Sequence, residues 1–454
     1  MPDEIRFLSI CGMLGYGYPP ESLATGLRWN VAFLGADNGS TDPGPYYLGS
    51  GTSFLERMQL ERDLEPALCG ARGLGIPLII GSAGGSGAAP HVESFIEVLR
   101  GVALRRDLHF RLAVIRADIE PQTVIDALRA GKIRPCGPVA ELTEEAIRSS
   151  THLVGQMGTG PFIRALQGGA EVVVAGRSCD TAIFAAMPIL QGFDPALALH
   201  LAKIAECGTL CARPGGANDS LLCRLMHDHF VVEPANPEKR CTPDSVAAHS
   251  LYEQPDPSCF FEPEGMVDMS QCSFEPFGER GVKVSGTRLV APDRPCIKVE
   301  GAALRGYRAI TVAGIRDPAV IANLDEIERQ VREAVAGNLD GTAAEEDYRL
   351  SFLRYGLDAV TGRREPPPAQ TPREVGLMIE AIGPTQELAD TVLSLARSTA
   401  LHQHFSGRKT TAGNLAFPFS PSDFSGGAVY EFSVYHLMET DDPNALFPIT
   451  FEDL

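Results

Sequence analysis

The chain contains 454 residues, of which 44% are apolar and 21% charged, and this composition excludes a wholly disordered protein. Its 39 Lys and Arg against 58 Asp and Glu give a formal net charge of −19, which would repel a phosphate backbone, so we expect no nucleic-acid partner. No apolar run of roughly 18 residues and no basic leader is present, so we predict no membrane span, no secretory signal and a cytoplasmic location.

Apolar runs alternate with amphipathic stretches in the first half of the chain. The runs are dense in Val, Ile, Leu and Ala, which is typical of strands buried on both faces of a parallel sheet. Strands are predicted at 5–10, 30–36, 77–82, 111–117 and 171–176, with helices between them at 53–74, 91–104, 121–130 and 161–167. This alternation predicts an α/β sheet with right-handed crossovers.

The composition changes after about residue 230, where Pro, Asp, Glu and Gly become frequent. A short strand is predicted at 281–290, and strands and helices follow it in mixed order. The later strands are predicted at 296–304, 307–315, 350–356 and 374–383, and the helices at 318–336 and 385–402. A proline-rich surface connection is predicted at 366–372. The predicted fold class is therefore α/β, with a mostly parallel sheet in an N-terminal domain over 1–275 and a smaller α+β C-terminal domain over 276–454.

The segment after the second predicted strand is a candidate binding loop. In doubly wound sheets, ligands bind outside the carboxyl ends of the strands. Residues 37–45 read DNGSTDPGP and are rich in small oxygen-bearing side chains and glycine, which suit turns and the binding of ions. Asp37 and Asp42 are the candidate catalytic carboxylates here, and a turn-rich connection is the alternative.

A glycine-rich loop follows the strand at 77–82 and leads into a helix that begins near His91. Glycines let a ligand approach the backbone, and a helix N-terminus offers free N–H groups to phosphate or carboxylate. Neither a Walker loop nor a dinucleotide fingerprint is present, so no nucleotide cofactor is predicted. His91 is a candidate catalytic group, a tight turn is the alternative explanation of the loop, and the candidate substrate-binding residues are Ser82, Gly84, Gly85 and Ser86.

Arg177, Ser178 and Asp180 follow the strand at 171–176. An arginine at a strand end can bind a carboxylate through two parallel hydrogen bonds, and Ser178 would assist it. Asp180 can orient the arginine, transfer a proton or hold a metal; a structural Arg–Asp pair is the alternative. Because carboxylate oxygens suit Mg²⁺, the candidate cofactor is Mg²⁺ with Asp37 and Asp180 as its ligands.

Two later segments contain further candidates. Asn218 lies in a glycine-rich polar stretch and is a candidate substrate-binding residue. The segment 402–414 concentrates His, Arg, Lys and hydroxyl groups in an otherwise acidic chain, so His404 is a candidate acid or base and Arg408 a candidate anion-binding residue. A capped turn and a solvated loop are the respective alternatives.

Several of these stretches resemble one protein family. Residues 169–180 are similar to the GADIVITGR-x-x-D strand and turn of the acyclic terpene utilisation AtuA family, and 82–85 to its NAGG motif. Further similarities are the ECG at 206–208, the glycine pair at 215–216 and the LYEQPDPSCFFEPEG run at 251–265. The resemblance covers about residues 75–270 and identifies a divergent member of the family, which implies catabolism of branched acids through CoA thioesters.

The strand-end residues and the resemblance together predict a catabolic enzyme that acts on a small carboxylic acid or its acyl-CoA thioester. A hydro-lyase (hydratase) or an isomerase is the expected reaction class, with Arg177 holding the carboxylate and the acidic residues or His91 and His404 transferring protons. The alternative is a non-catalytic helper or binding subunit of a catabolic enzyme complex. We expect a homo-oligomer, with a small partner subunit as a further candidate partner.

Overall fold

A computed structural model of the chain describes residues 2–366, 372–409 and 411–454. Its strands are β1 (Glu4–Ser9), β2 (Leu34–Asp37), β3 (Leu78–Gly81), β4 (Arg111–Ile115), β5 (Ile133–Pro135), β6 (Ser150–Gln156), β7 (Val172–Ala175), β8 (Ala212–Arg213), β9 (Leu221–Met226), β10 (His229–Pro234), β11 (Arg240–Cys241), β12 (Cys259–Glu262), β13 (Gly265–Asp268), β14 (Ser273–Phe277), β15 (Gly281–Ser285), β16 (Arg288–Val290), β17 (Cys296–Ile315), β18 (Arg349–Tyr355), β19 (Val375–Gly383), β20 (Asp423–Glu439) and β21 (Ile449–Asp453). Its helices are α1 (Pro20–Leu27), α2 (Pro45–Ser50), α3 (Arg57–Leu74), α4 (Ala89–Arg106), α5 (Pro121–Arg129), α6 (Glu144–Ser149), α7 (Thr159–Gln167), α8 (Asp180–Leu190), α9 (Pro195–Ala205), α10 (Pro243–Ser250), α11 (Pro318–Ala322), α12 (Leu324–Asn338) and α13 (Gln386–His402).

A ten-stranded sheet forms the centre of the first part of the chain, in the order β14-β15-β10-β9-β1-β2-β3-β7-β4-β21. Its five central strands, from β1 to β4 in that order, are parallel, and the strands at both flanks are antiparallel. The parallel centre consists of the five strands that the apolar runs predicted. The predicted α/β class is therefore confirmed, with an antiparallel extension on each side.

Strands β3 and β7 are apolar along their whole length because both faces of the sheet are covered there. Successive residues of a strand point to opposite faces. Ile79 of β3 accordingly belongs to one hydrophobic core, whereas its neighbours Leu78 and Ile80 belong to a second core on the other face. In β7, Val173 and its neighbours divide in the same way.

The chain divides into two units, one of residues up to Ala303 together with Phe432–Leu454, the other of Leu304–Glu431. The boundary predicted at 275/276 lies instead within β14, which pairs with β15 in the ten-stranded sheet. The change in composition near residue 230 falls within β10, a mostly buried antiparallel strand of the same sheet, and therefore marks no domain boundary. Two long strands, β17 and β20, run from one unit into the other, so no linker marks the division.

The second unit has the mixed α+β character that the sequence predicts. Residues Tyr307–Ile315 of β17 pair with β19, and β18 pairs with the other side of β19. Helices α12 and α13 contribute Val331 and Val392 to a core that includes Ile379 of β19. The single helix predicted at 318–336 is divided into α11 and α12 at Asn323, and most of the predicted proline-rich connection, 367–371, lies outside the described residues.

No helix within the described ranges is long and apolar enough to cross a membrane.

Candidate active site

Polar residues converge where β2, β3 and β7 end, all within the first unit. Asp37 is the last residue of β2 and pairs in register with Gly81, the last residue of β3. Helix α8 begins against this point because Gly35 and Gly81 have no side chains: a Cβ on Gly35 would lie 2.6 Å from the ring of Phe184, and one on Gly81 2.5 Å from Ile183. The glycines therefore bring the start of α8 close to Asp37.

The loops after β2 and β3 are locked together by Asn38. Its side-chain amide donates to the carbonyl of Leu14 at 2.8 Å, and its Oδ1 accepts from the backbone N–H of Gly84 at 2.6 Å. A Cβ on Gly39 would lie 1.9 Å from the carbonyl oxygen of Gly85. The segments are thus in backbone-to-backbone contact.

The glycine-rich loop predicted to bind an anion packs against protein on several sides. A Cβ on Gly84 would lie 2.5 Å from the carbonyl oxygen of His91, and one on Gly85 2.8 Å from Phe54. The N-terminus of α4 also has an internal partner, since the backbone N–H of Ala89 donates to a carboxylate oxygen of Asp118 at 3.0 Å. These contacts assign the glycines a packing role, which accounts for their presence without a ligand.

Arg177 lies at the centre of the cluster and is only 4% exposed. Its Nε donates to Glu300 at 2.7 Å, while Nη1 and Nη2 lie 3.4 Å from the hydroxyls of Ser82 and Thr41. The acidic partner of Arg177 is therefore Glu300 on β17, and the local Arg177–Asp180 pair considered from the sequence is replaced by a long-range one.

Glu300 accepts from two cations, Arg177 and Lys298. Lys298 Nζ lies 2.8 Å from Glu300 Oε1, and the hydroxyl of Thr41 donates to the same oxygen at 3.0 Å. Burial opposes ionisation of this carboxyl, but the charges of Arg177 and Lys298 outweigh it and lower the pKa of Glu300 to about 2. Lys298 also lies over the ring of Tyr435, 4.6 Å from its centroid.

Asp37 and Asp180 form a second feature, two carboxyl groups whose pKa values are both raised. Burial and the neighbouring Asp180 raise the pKa of Asp37 well above its ordinary value, against the opposing charge of Arg177. Burial also raises the pKa of Asp180, although Arg177 and Lys203 oppose the shift. One oxygen of Asp37 accepts from Gly39 N–H, whereas the Oδ1 atoms of both residues are buried and have no hydrogen-bond partner among the described residues.

Two glutamates that the sequence analysis did not select extend this acidic region. Glu206 follows α9 and accepts from Lys203, and burial together with the charge of Asp180 raises its pKa to about 7. Glu262, at the end of β12, has a pKa raised to about 8 by burial and by the nearby Glu264 and Glu206. Both glutamates lie in stretches that carried the family resemblance, ECG and EPEG. That resemblance was the sequence feature that could have identified them as site residues.

A group of aromatic side chains lies near Asp37. Tyr16 and Tyr47 both pack edge-on against Phe54, at centroid distances of 6.4 and 5.1 Å. Burial and the charge of Asp37 raise the pKa of Tyr16, which places its hydroxyl in the electrostatic field of that carboxylate. His91 is fully buried, its Nε2 lies 3.0 Å from the Tyr47 carbonyl, and burial lowers its pKa, so its ring holds the Tyr47 segment in place.

The remaining candidates lie at the edge of this region or in the second unit. Asp42 is exposed, and its charge helps to raise the pKa of Asp180; Asn218 donates to the carbonyl of Tyr16 at 3.1 Å. In the second unit, His404 is exposed and Arg408 donates to Asn414 Oδ1 at 3.0 Å. The candidates that the structure brings together are Asp37, Ser82, Arg177, Ser178 and Asp180, with Ser86 nearby as a fully buried hydroxyl that has no partner in the described chain.

The raised pKa of Glu262 predicts that stability depends on pH. Its folded pKa of about 8 lies above the ordinary 4.5, so its contribution is fully present below about pH 4.5 and is lost as pH rises through 8. We expect the unfolding temperature of the wild type to fall between about pH 5.5 and 8.5, and to fall less in Glu262→Gln, because glutamine cannot ionise. Thermal unfolding at a series of pH values measures this.

The matched control is Glu144→Gln, which removes an exposed carboxylate paired with Arg129. Its pH profile should follow that of the wild type over this range, because the pKa of Glu144 is lowered and the group stays ionised there. An unaltered slope in Glu262→Gln would show that Glu262 is not the group that titrates.

The fold and the site together define an α/β protein with a buried, charged cluster at the carboxyl ends of its parallel strands. A model of the acyclic terpene utilisation family protein AtuA matches residues 56–216 and 228–419. The chain belongs to this AtuA family, and the membership supports a catabolic role. The match extends beyond the region 75–270 that carried the sequence resemblance, at both ends. No curated protein and no solved structure gives a significant match to the chain.

Proposed function

We propose that the chain is a catabolic enzyme that moves protons on a small carboxylic acid or its acyl-CoA thioester, in a hydro-lyase or isomerase reaction. The observation that carries this proposal is the Asp37–Asp180 pair, whose pKa values are raised and whose Oδ1 atoms have no partner among the described residues. A carboxyl group whose pKa is raised towards neutrality suits general acid–base catalysis. Two such groups, one at the end of β2 and one in the first turn of α8, would provide an acid and a base for addition and elimination.

Arg177 supplies the positive charge that faces the pair. Its Nε is taken by Glu300, and its terminal nitrogens contact the hydroxyls of Ser82 and Thr41 at the long distance of 3.4 Å. Hydrogen bonds between arginine and a carboxylate are shorter and stronger than such contacts, so a substrate carboxylate would displace them. Glu300 then fixes the guanidinium while the substrate binds its outer edge.

The same aspartates would hold Mg²⁺ if the enzyme uses it. Mg²⁺ is usually bound by one or two carboxylates and completes its shell with water and substrate oxygens. The two orphaned Oδ1 atoms fit that requirement, although the described residues contain no group of three or more His, Cys, Asp or Glu side chains that could hold a metal. When bound, the metal would polarise a substrate oxygen as a Lewis acid.

The test is a screen of the pure protein by thermal shift and by turnover. The panel contains di- and tricarboxylates, hydroxy acids, amino acids and acyl-CoA thioesters, each with and without Mg²⁺. A ligand at about 100 times its Kd adds about 2.7 kcal/mol to the free energy of unfolding, a readily measured shift. We expect one class of acid to stabilise the protein and to be converted by it.

Binding without conversion of any acid would contradict the enzymatic proposal and favour the helper or binding subunit. The homo-oligomer and the small partner subunit stay predictions, and light scattering of the same preparation addresses the first.

A further inference from the structure

A cavity of about 210 Å³ lies in the second unit, beside α12 and the start of β18. Its lining consists of one residue of α12 and of the segment that leads into β18: Arg332, Glu345, Tyr348, Arg349 and Leu350. Glu345 begins a single 3₁₀ turn, Glu345–Asp347. These residues are distinct from the charged cluster at the ends of the parallel strands, which belongs to the first unit.

Arg349 brings an uncommitted guanidinium group to this cavity. Its side chain is exposed and makes no ion pair and no hydrogen bond with any residue that the structure describes. The carboxylate of Asp347 has another partner, since it accepts from the backbone N–H of Ala344 at 2.8 Å. The charge of Arg349 is therefore available to a ligand.

Arg332 is held at the same cavity by contacts of its own. Its Nη1 donates to the carbonyl of Leu350, and its guanidinium carbon lies 4.9 Å from the centroid of the Phe352 ring. No carboxylate of the described chain pairs with it, because Glu328, one turn earlier on α12, pairs instead with Arg354. An arginine that is already oriented loses less conformational freedom when a ligand binds to it.

Tyr348 adds a hydroxyl group to the two guanidinium groups. Burial and the charge of Glu345 raise its pKa against the opposing charge of Arg332, so the hydroxyl stays protonated and can donate a hydrogen bond. The described lining thus contains two cations and one carboxylate, in a chain whose net charge is −19. A local excess of positive charge with unoccupied donors suits an anion.

We propose that this cavity binds a phosphoryl group, supplied by inorganic phosphate or by a small phosphate ester. A phosphoryl group has three strong acceptor oxygens and a charge of about −2, which match two guanidinium groups and a phenolic hydroxyl. A carboxylate has two oxygens in one plane and a single charge, so it would engage these side chains less completely. The carboxylate of Glu345 limits the positive charge of the cavity, which suits one phosphoryl group better than several. This inference goes beyond the proposed function and does not depend on it.

The experiment titrates the full chain with sodium phosphate, glycerol 3-phosphate and sodium acetate at constant ionic strength, by calorimetry and thermal shift. We expect at least one phosphoryl probe to bind about 10-fold or more tightly than acetate, and Arg349→Gln to weaken that binding by about 10-fold or more. Tyr348→Phe should weaken it several-fold. Tighter binding of glycerol 3-phosphate than of phosphate would assign the site to an ester, and equal or weaker binding would assign it to the free ion.

The matched control is Arg329→Gln, which removes a positive charge from the same helix at an arginine paired with Glu326. It should leave phosphate binding unchanged. Because the side chain of Arg349 has no ion pair or hydrogen bond in the described chain, Arg349→Gln should unfold at the temperature of the wild type when no ligand is present. Tyr348→Phe provides the same comparison if Arg349→Gln fails to fold.

Three results would overturn the inference. In the first, neither phosphoryl probe binds at millimolar concentration. In the second, acetate binds as tightly as the phosphoryl probes. In the third, Arg329→Gln weakens binding as much as Arg349→Gln, which would show a general attraction of anions to the helix surface. None of these results bears on turnover of a carboxylic acid, so the failure of this inference is distinguishable from the failure of the proposed function.

Discussion

Glu300→Gln is expected to destabilise the protein by about 3–5 kcal/mol, the usual cost of leaving a buried charge without its partner. Glu300 is fully buried, and its carboxylate accepts from Arg177 and Lys298. Glutamine preserves the shape and one acceptor but removes the negative charge, so two cations face each other in the interior. Urea unfolding of the variant and the wild type measures the loss.

Two further variants separate this effect from a general sensitivity of the fold. Glu144→Gln breaks an exposed pair with Arg129 and should change the unfolding midpoint little, because exposed ion pairs contribute little. Lys298→Met combined with Glu300→Gln should be less destabilised than Glu300→Gln alone, since one of the two stranded cations is gone. A Glu300→Gln protein as stable as the wild type would show that the Arg177–Glu300 pair does not hold the site together.

The parallel centre of the fold was predictable because its strands are buried on both faces. β3 and β7 consist of consecutive apolar residues and glycine, a pattern typical of strands with both faces buried. The edge strand β14 was harder to predict for the opposite reason. β14 is largely exposed and short, and its alternation is interrupted by Pro276, so a periodicity of two is not visible in it.

The site residues that lie at strand ends were predictable from the sequence. The residue that joins the site through an ion pair with a partner far away in the sequence was not. Asp37, Arg177 and Asp180 were found because carboxyl ends of parallel strands share one edge. Glu300 lies 123 residues beyond Arg177, and no local spacing connects them. A local interpretation therefore assigned Asp180 to Arg177, although the fold supplies a better-placed carboxylate from β17.

The glycine-rich loop shows a different limit of sequence interpretation. Close approach of a ligand and close approach of another backbone both require the absence of a Cβ. The sequence alone does not distinguish them, whereas the structure places Gly39 and Gly85 in contact with each other. Glycine at such positions identifies a crowded place in the molecule, and the identity of the neighbour needs coordinates.

Asp180→Asn is expected to lower kcat/KM by about 10²- to 10⁴-fold on whichever acid the enzyme converts, the usual contribution of a positioned acid or base. Asp180 occupies the first turn of α8, and asparagine keeps its shape while losing the ability to exchange a proton. Steady-state kinetics of the variant and the wild type measure the loss. Asp107→Asn, an exposed change at the end of α4, should retain wild-type turnover.

Stability distinguishes this catalytic interpretation from a structural one. The charges of Asp180 and Asp37 oppose each other, as the raised pKa of Asp37 indicates, so removing one of them should leave the free energy of unfolding unchanged or raise it at neutral pH. If Asp180→Asn loses activity but is at least as stable as the wild type, Asp180 acts on the substrate and does not stabilise the fold. Repulsion between like charges lowers stability and is retained in proteins where function requires it. Asp180→Asn with more than a tenth of wild-type kcat/KM would exclude Asp180 from proton transfer and leave Asp37 as the remaining candidate of the pair.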